Sequence, residues 1–186
     1  MTTETILSIF LGIGLASASG FRVFLPLFAL SLASYFNIWE LNENWLWIGS
    51  IPALITLGIA TVSEVFGYYI PFIDNLLDTI ATPLAAIAGT VVMASTLVDI
   101  SPMMTWVLAL IAGGGTASAM QGMTTVTRLA SSVKTAGIGN PVVSTAETGT
   151  AIGMSALSIF LPVVAIVVVV FLFLLIYWVY RRFKRK

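Results

Sequence analysis

Two apolar segments of this chain are too long to be single straight membrane helices, and each contains a similar run of small residues. The first segment, residues 5–36, contains Gly14–Gly20, GLASASG; the second, residues 103–133, contains Gly115–Gly122, GTASAMQG. A helix of about 32 residues is about 48 Å long, whereas the hydrocarbon core of a bilayer is about 30 Å thick. Each segment must therefore tilt, break or re-enter the membrane. Two interrupted segments in matching positions indicate an internal repeat, a pattern typical of transport sites.

Composition limits the class of protein. The chain of 186 residues is 59% hydrophobic and 9% charged, whereas a soluble domain carries about 25% charged residues. We therefore predict one transmembrane domain, residues 1–186, with no space for a soluble catalytic or nucleic-acid-binding module. Because the chain has no Cys and no His, it lacks thiol nucleophiles, histidine bases and the usual zinc ligands. We expect no enzyme activity, no cofactor and no nucleic-acid partner.

The hydrophobic pattern divides the chain into an all-α membrane fold with two inverted repeats. Repeat one covers 5–98 and repeat two covers 103–180, followed by a basic tail at 181–186. The first segment of each repeat is broken or re-entrant, near Gly20 in repeat one and near Gly113–Gly115 or Gly122 in repeat two. The six predicted segments are 5–36, 45–69, 83–98, 103–133, 142–158 and 163–180, with a short amphipathic piece at 72–82.

Loop charges set the predicted orientation. Five of the eight Lys and Arg residues lie in the tail 181–186, which the positive-inside rule assigns to the cytoplasm. The acidic loop 37–44 is then outside and Lys134 inside. These charges favour six crossings with both chain ends in the cytoplasm, over the alternative of four spans and two re-entrant hairpins.

Charged residues within the apolar segments are the first candidates for a functional site. A carboxylate inside a membrane segment is costly and marks function by default, and each repeat has one in its second segment, Glu64 and Glu147. Arg22 lies deep in an apolar run, so we expect it to pair with Glu64, Asp74 or Glu147. We expect Arg128 instead to extend to the membrane interface.

The small-residue runs supply the remaining candidates. We predict a mid-membrane substrate site where the two broken segments meet, with Ser17, Gly20, Ser118 and Gly122 as its uncharged members. Close helix packing is the alternative explanation for such residues. Asp74 and Asp78 share one helix face and are candidates for divalent metal coordination, although we favour a solvated acidic face.

The run from Gly14 to Pro26, GLASASGFRVFLP, resembles the opening signature of the domain of unknown function 4126 family, which consists of small prokaryotic membrane proteins. The stretch from Glu64 to Pro83 resembles the middle motif of that family. A looser similarity continues to about Pro162 and includes the triple glycine 113–115, Arg128, the pair Asn140 and Pro141, and Glu147.

One departure from the family pattern is visible. Family members often have a basic residue shortly after the middle glutamate, whereas Gly67, Tyr68 and Tyr69 follow Glu64 here. The resemblance implies a multi-helix protein of a prokaryotic inner membrane. It implies no activity, since the family is named for its unknown function.

Together these features predict a small multi-pass transporter or permeation protein. Its site would comprise Arg22, Glu64 and Glu147 with the small residues named above, and one glutamate would carry a proton. A non-transporting scaffold or lipid-interacting protein is one alternative, and an ion channel is another. Membrane lipid and a small ion or molecule are the expected partners. Because so short a chain has few helices to enclose a path, we also expect a homodimer.

Overall fold

This computed structural model of the protein describes residues 2–184, without the side chains at 71–72, 75, 179–180 and 183–184. The predicted all-α fold is confirmed, since residues 2–184 contain no strand. The elements are α1 (Thr3–Ser19), α2 (Phe24–Tyr35), a 3₁₀ helix (Glu43–Gly49), α3 (Ile51–Gly67), α4 (Pro71–Thr96), α5 (Pro102–Leu108), a π-helical segment (Ala109–Gly114), α6 (Gly115–Thr135), α7 (Asn140–Phe160) and α8 (Pro162–Lys184).

The apolar helices fit a membrane protein. Within residues 2–184, two helices are long and apolar enough to cross a bilayer, Leu76–Thr96 and Pro102–Thr135. A third span results if the 3₁₀ helix and α3, which meet at 64°, are counted as one. Of the predicted basic tail, residues 181–184 continue α8, while 185 and 186 lie outside the described residues.

The first apolar segment forms a helical hairpin, which we call the α1–α2 hairpin. α1 ends at Ser19 and α2 begins at Phe24, so the predicted break near Gly20 is confirmed. Leu11 and Leu15 of α1 pack in one cluster with Leu30 of α2. The start of α1 and the residues that follow α2 line the same cavity of about 660 Å³. Both ends of the segment therefore lie at the same end of the bundle, because α2 runs back alongside α1.

That cavity identifies one end of the bundle, which we call the acidic end because four carboxylates surround it: Glu4, Glu40, Glu43 and Asp99. The α7–α8 junction lies at this end too, since the indole nitrogen Nε1 of Trp39 donates to the carbonyl of Ile159 over 2.8 Å. The opposite end, which we call the basic end, contains the turns 68–70 and 136–139 and the C-terminal end of α8. Both chain ends were predicted on one side of the membrane. In the described residues α1 begins at the acidic end, and α8 runs alongside it toward the basic end, with Ala165 near Gly14 and Val169 near Ala18.

The second small-residue run lies in one continuous helix. α5, the π-helical segment and α6 run without interruption from Pro102 to Thr135, so the predicted break in repeat two is wrong. The glycines there allow α4 to approach closely, because a Cβ atom added to Gly89 would lie 2.7 Å from the carbonyl oxygen of Gly113. A single π-helical turn accommodates this contact while the backbone hydrogen bonds stay within the helix.

Of two further predicted helix boundaries, one is wrong and one is confirmed. We predicted that Pro83 starts a helix, but it lies inside α4, on the exposed side. The separate amphipathic piece at 72–82 is therefore the first part of α4. The predicted separation of segments 142–158 and 163–180 is confirmed, since α7 ends at Phe160 and α8 begins at Pro162.

Candidate functional site

Seven side chains from six parts of the fold meet near the basic end, and we call them the charge cluster. The α1–α2 hairpin contributes one arginine at its bend, and α6 contributes the other. The C-terminal end of α3, the first turns of α4 and the N-terminal half of α7 supply carboxylates, and the α3–α4 turn supplies a tyrosine. The members are Arg22, Arg128, Glu64, Asp74, Asp78, Glu147 and Tyr68.

Arg128 is the centre of the cluster. Its Nε lies 3.0 Å from Oε1 and 3.1 Å from Oε2 of Glu147, and its Nη2 also donates to that carboxylate. Its Nη1 donates to Asp74 and lies 3.7 Å from Oδ1 of Asp78. The prediction that Arg128 extends to the interface is wrong, because its side chain is only 3% exposed. The facing carboxylates of α4 and α7 hold it inside the bundle.

Arg22 attaches the bend of the hairpin to α7. Its Nε donates to the hydroxyl of Thr148 over 2.9 Å, and its Nη2 donates to the carbonyl and the hydroxyl of Ser144 over 2.8 and 2.6 Å. Its Nη1 lies 3.4 Å from Oε2 of Glu147. The expected buried pairing with Glu147 is therefore present, and Glu147 joins the two arginines.

Glu64 holds the same bend from the other side. Its Oε1 accepts a hydrogen bond from the backbone N–H of Val23 over 2.7 Å, and its Oε2 accepts one from Phe24 over 3.0 Å. These are amides that the start of α2 leaves without a partner in its own helix. A carboxylate also interacts favourably with the positive end of the helix dipole. Glu64 thus caps α2 from a distance of 40 residues in sequence.

Tyr68 and Asn140 were not among the predicted site residues. The ring centroid of Tyr68 lies 4.2 Å from the guanidinium carbon of Arg22 and 4.1 Å from that of Arg128, so one ring contacts two cations. Tyr68 belongs to the stretch 67–69 that departs from the family pattern, and that departure was the signal in the sequence. Asn140 donates to Oδ2 of Asp74 over 3.1 Å; its only signal was its place in a pair with Pro141.

The prediction of a solvated acidic face at Asp74 and Asp78 is wrong for Asp74. This residue is buried, whereas the side chain of Asp78 is 23% exposed. Within residues 2–184, no group of three or more His, Cys, Asp or Glu side chains is arranged to hold a metal ion. The guanidinium of Arg128 occupies the position between the two aspartates that a cation would take.

The small-residue candidates fall into two groups. A Cβ atom added to Gly20 would lie 2.6 Å from the carbonyl oxygen of Ala117, so the two runs do meet, as predicted, although by close packing. Ser17 is fully buried, and its hydroxyl has no hydrogen-bond partner among the described residues. Ser118 is half-buried and donates to its own helix over 2.8 Å. Gly122 is exposed on α6, and nothing lies within 4 Å of a Cβ atom added there.

A cavity of about 570 Å³ connects the charge cluster with the basic end. Tyr68 and Asp74 from the cluster line its inner part, together with Asn140. Tyr69 and the turn 136–138 line its outer part. Asp74 is the charged residue among those that line this cavity.

The chain belongs to the family described as Domain of unknown function (DUF4126), whose match covers residues 9–182. Comparison with curated proteins and with solved structures finds no match to the chain.

Proposed function

We propose that the protein is a small membrane transporter or permeation protein in which the charge cluster binds the transported ion, and that this ion is a proton. The observation that carries the proposal is the cavity that opens from the basic end onto Asp74. Behind Asp74, three further carboxylates and two arginines lie in the part of the bundle that the structure describes. The carboxylates are in excess, so the cluster attracts positive charge.

The position of the cluster supports ion transport because buried charge is costly. Ionisable side chains inside membrane proteins mark ion pathways and proton relays. Buried ion pairs are also weak contributors to stability, because desolvation opposes their attraction. A structural role alone would be fulfilled as well by apolar side chains of similar volume.

A barrier toward the acidic end supports alternating access. The core on that side is apolar and buried, with Leu11, Leu15, Leu30, Ile48 and Val92 in one cluster. The cavity at the acidic end lies beyond this core. The described arrangement would be open to the basic end and closed to the acidic end, and the bend of the α1–α2 hairpin is the element in contact with the site.

The two-repeat arrangement, 5–98 and 103–180, stays part of this proposal. Each half supplies one arginine and one glutamate to the cluster: Arg22 and Glu64 from the first, Arg128 and Glu147 from the second. A functional site at the interface between two halves is typical of transporters built from repeats.

Orientation and assembly follow from the surface. Lys134, Arg181 and Arg182 lie toward the basic end, which we therefore assign to the cytoplasmic side of a prokaryotic inner membrane. Exposed apolar side chains along α3, such as Ile55 and Ile59, would contact lipid or a second copy in a homodimer. The proposed activity includes no catalysed reaction.

A membrane scaffold is the second candidate, and the close packing of the glycines favours it. Gly20 against Ala117, and Gly89 against Gly113, bring backbones together as helix-packing motifs do. In a scaffold, the charge cluster would specify how the helices associate and would carry no ion.

Proton flux into liposomes separates these two functions. Purified protein is reconstituted into liposomes that contain a pH-sensitive dye, and a pH gradient is imposed with valinomycin and potassium to cancel the membrane potential. We expect the gradient to decay at least tenfold faster than in protein-free liposomes. Glu147→Gln, once circular dichroism has shown that it folds, should lose most of this flux, whereas the matched control Glu40→Gln at the exposed acidic end should keep it. Decay no faster than in empty liposomes would favour the scaffold.

A further inference from the structure

We infer that Asp78 is the carboxylate of the charge cluster that takes up and releases the proton. The inference rests on the proposed function and makes it more specific. Sequence reasoning assigned that role to one of the two glutamates, whereas the geometry distinguishes Asp78 from all three of its neighbours.

The other three carboxylates have strong partners on both oxygens. Glu147 accepts hydrogen bonds from Arg128 on both of its oxygens. Asp74 accepts from Arg128 on one oxygen and from Asn140 on the other. Glu64 accepts from two backbone amides, one on each oxygen. Charge-assisted hydrogen bonds of this kind favour the ionised form of a carboxyl group.

Asp78 lacks that support. Its Oδ1 is buried and has no hydrogen-bond partner among the described residues. The nearest cationic atom, Nη1 of Arg128, is 3.7 Å away, and it donates to Asp74. An ionised oxygen that is buried without a hydrogen bond is unfavourable, and a proton removes that cost.

The surrounding charges also favour the protonated form of Asp78. Arg128 of α6 is the near cation, and Arg22 at the hairpin bend is farther away. Against them stand Asp74 on the same helix and Glu147 on α7. Tyr68 of the α3–α4 turn is a further titratable group near Asp78. With Asp78 ionised the cluster has four negative and two positive charges, so uptake of one proton reduces the excess. Because 23% of the Asp78 side chain is exposed, a proton can reach it.

Protonation of Asp78 can also affect the α1–α2 hairpin, through contacts between the two arginines and Glu147. An ionised Asp78 competes with Asp74 for Nη1 of Arg128, and a neutral Asp78 does not. Arg128 shares Glu147 with Arg22, and Arg22 holds the hairpin bend on α7. The protonation state of one aspartate is thereby linked to the element that would move during transport.

Infrared difference spectroscopy of the purified protein tests the assignment without a transport assay. Acidification from pH 8 to pH 5.5 should produce a carbonyl stretching band of a protonated carboxylic acid. We expect Asp78→Asn to remove this band and the matched variant Asp74→Asn, one helical turn away, to retain it. If Asp74→Asn does not fold, Glu40→Gln serves as the control. A band that survives Asp78→Asn, or that disappears only in Glu64→Gln or Glu147→Gln, overturns the inference.

Stability gives a second, independent readout. At pH 8 we expect Asp78→Asn to leave the Tm unchanged or to raise it, because the substitution removes the charge from a buried oxygen that has no hydrogen bond. A Tm that falls by more than about 5 °C, as expected for loss of a paired charge, would overturn the assignment.

Proton flux then separates the two proposals. If the band belongs to Asp78 and wild-type liposomes show no flux, the proposed function fails and the proton site remains. If wild-type liposomes show flux and Asp78→Asn retains its full rate, the proton-site assignment fails and the proposed function remains.

Discussion

The two small-residue runs have similar sequences and different structures. Gly14–Gly20 ends a helix, and the chain turns back at the next three residues. Gly115–Gly122 lies in an uninterrupted helix that extends to Thr135. Small residues permit a break in both places, so the difference comes from what surrounds each run.

The difference is the supply of hydrogen-bond partners for the freed backbone. At the first run, Glu64 accepts from the amides of Val23 and Phe24, and Arg22 binds Ser144 on α7. A helix can break inside a membrane protein only where other groups satisfy the backbone that it exposes. Along the second run, Ser118 donates back to Gly114 of its own helix. A break at glycine in a membrane segment therefore depends on polar side chains elsewhere in the chain.

The largest expected effect concerns the arginine that follows the continuous run. Arg128→Met leaves Asp74 and Glu147 buried without their cation, and breaking a buried pair in this way costs about 3–5 kcal/mol. We expect that loss in the free energy of unfolding, measured by SDS titration in mixed micelles. Lys134→Met, which removes the same charge from an exposed site, should change stability by less than about 0.5 kcal/mol. Similar losses in the two variants would show that the cluster does not stabilise the fold.

The next effect compares the two glycines directly. In Gly20→Ala the new Cβ would lie 2.6 Å from the backbone oxygen of Ala117, and overpacking of this kind costs about 1–3 kcal/mol. In Gly122→Ala nothing lies within 4 Å of the new Cβ, so replacing a mid-helix glycine should stabilise by about 0.5–1 kcal/mol. The same SDS titration measures both. Equal effects of the same sign would contradict the structural difference between the runs.

The smallest effect concerns the cap on the hairpin. Glu64→Gln keeps one acceptor oxygen and places an NH₂ group against a backbone N–H, so one buried amide loses its partner at a cost of about 1–2 kcal/mol. Amide hydrogen exchange at Val23 and Phe24 should accelerate in this variant, while exchange along the second run stays unchanged. Unchanged exchange at both amides would exclude Glu64 as the cap.

Local sequence signals predicted the break in the first apolar segment and the pairing of Arg22 with a buried carboxylate. A glycine followed by Pro26 weakens a helix, and an arginine in an apolar run needs a carboxylate. The direction of the hairpin was not predictable, because few loop charges bear on it. The continuity of α4 through Pro83 depends on tertiary packing. So does the position of Tyr68, since only the folded chain shows that two arginines contact one ring.

The attachment of the hairpin bend has a consequence for how the protein is made. The bend lies at residues 20–23, but its partners are Glu64 on α3 and Ser144 and Thr148 on α7. Arg22 therefore leaves the ribosome more than a hundred residues before its anchor on α7 exists. The hairpin can reach its final position only after α7 has been synthesised. The first segment to be synthesised is therefore among the last to reach its final position in the fold.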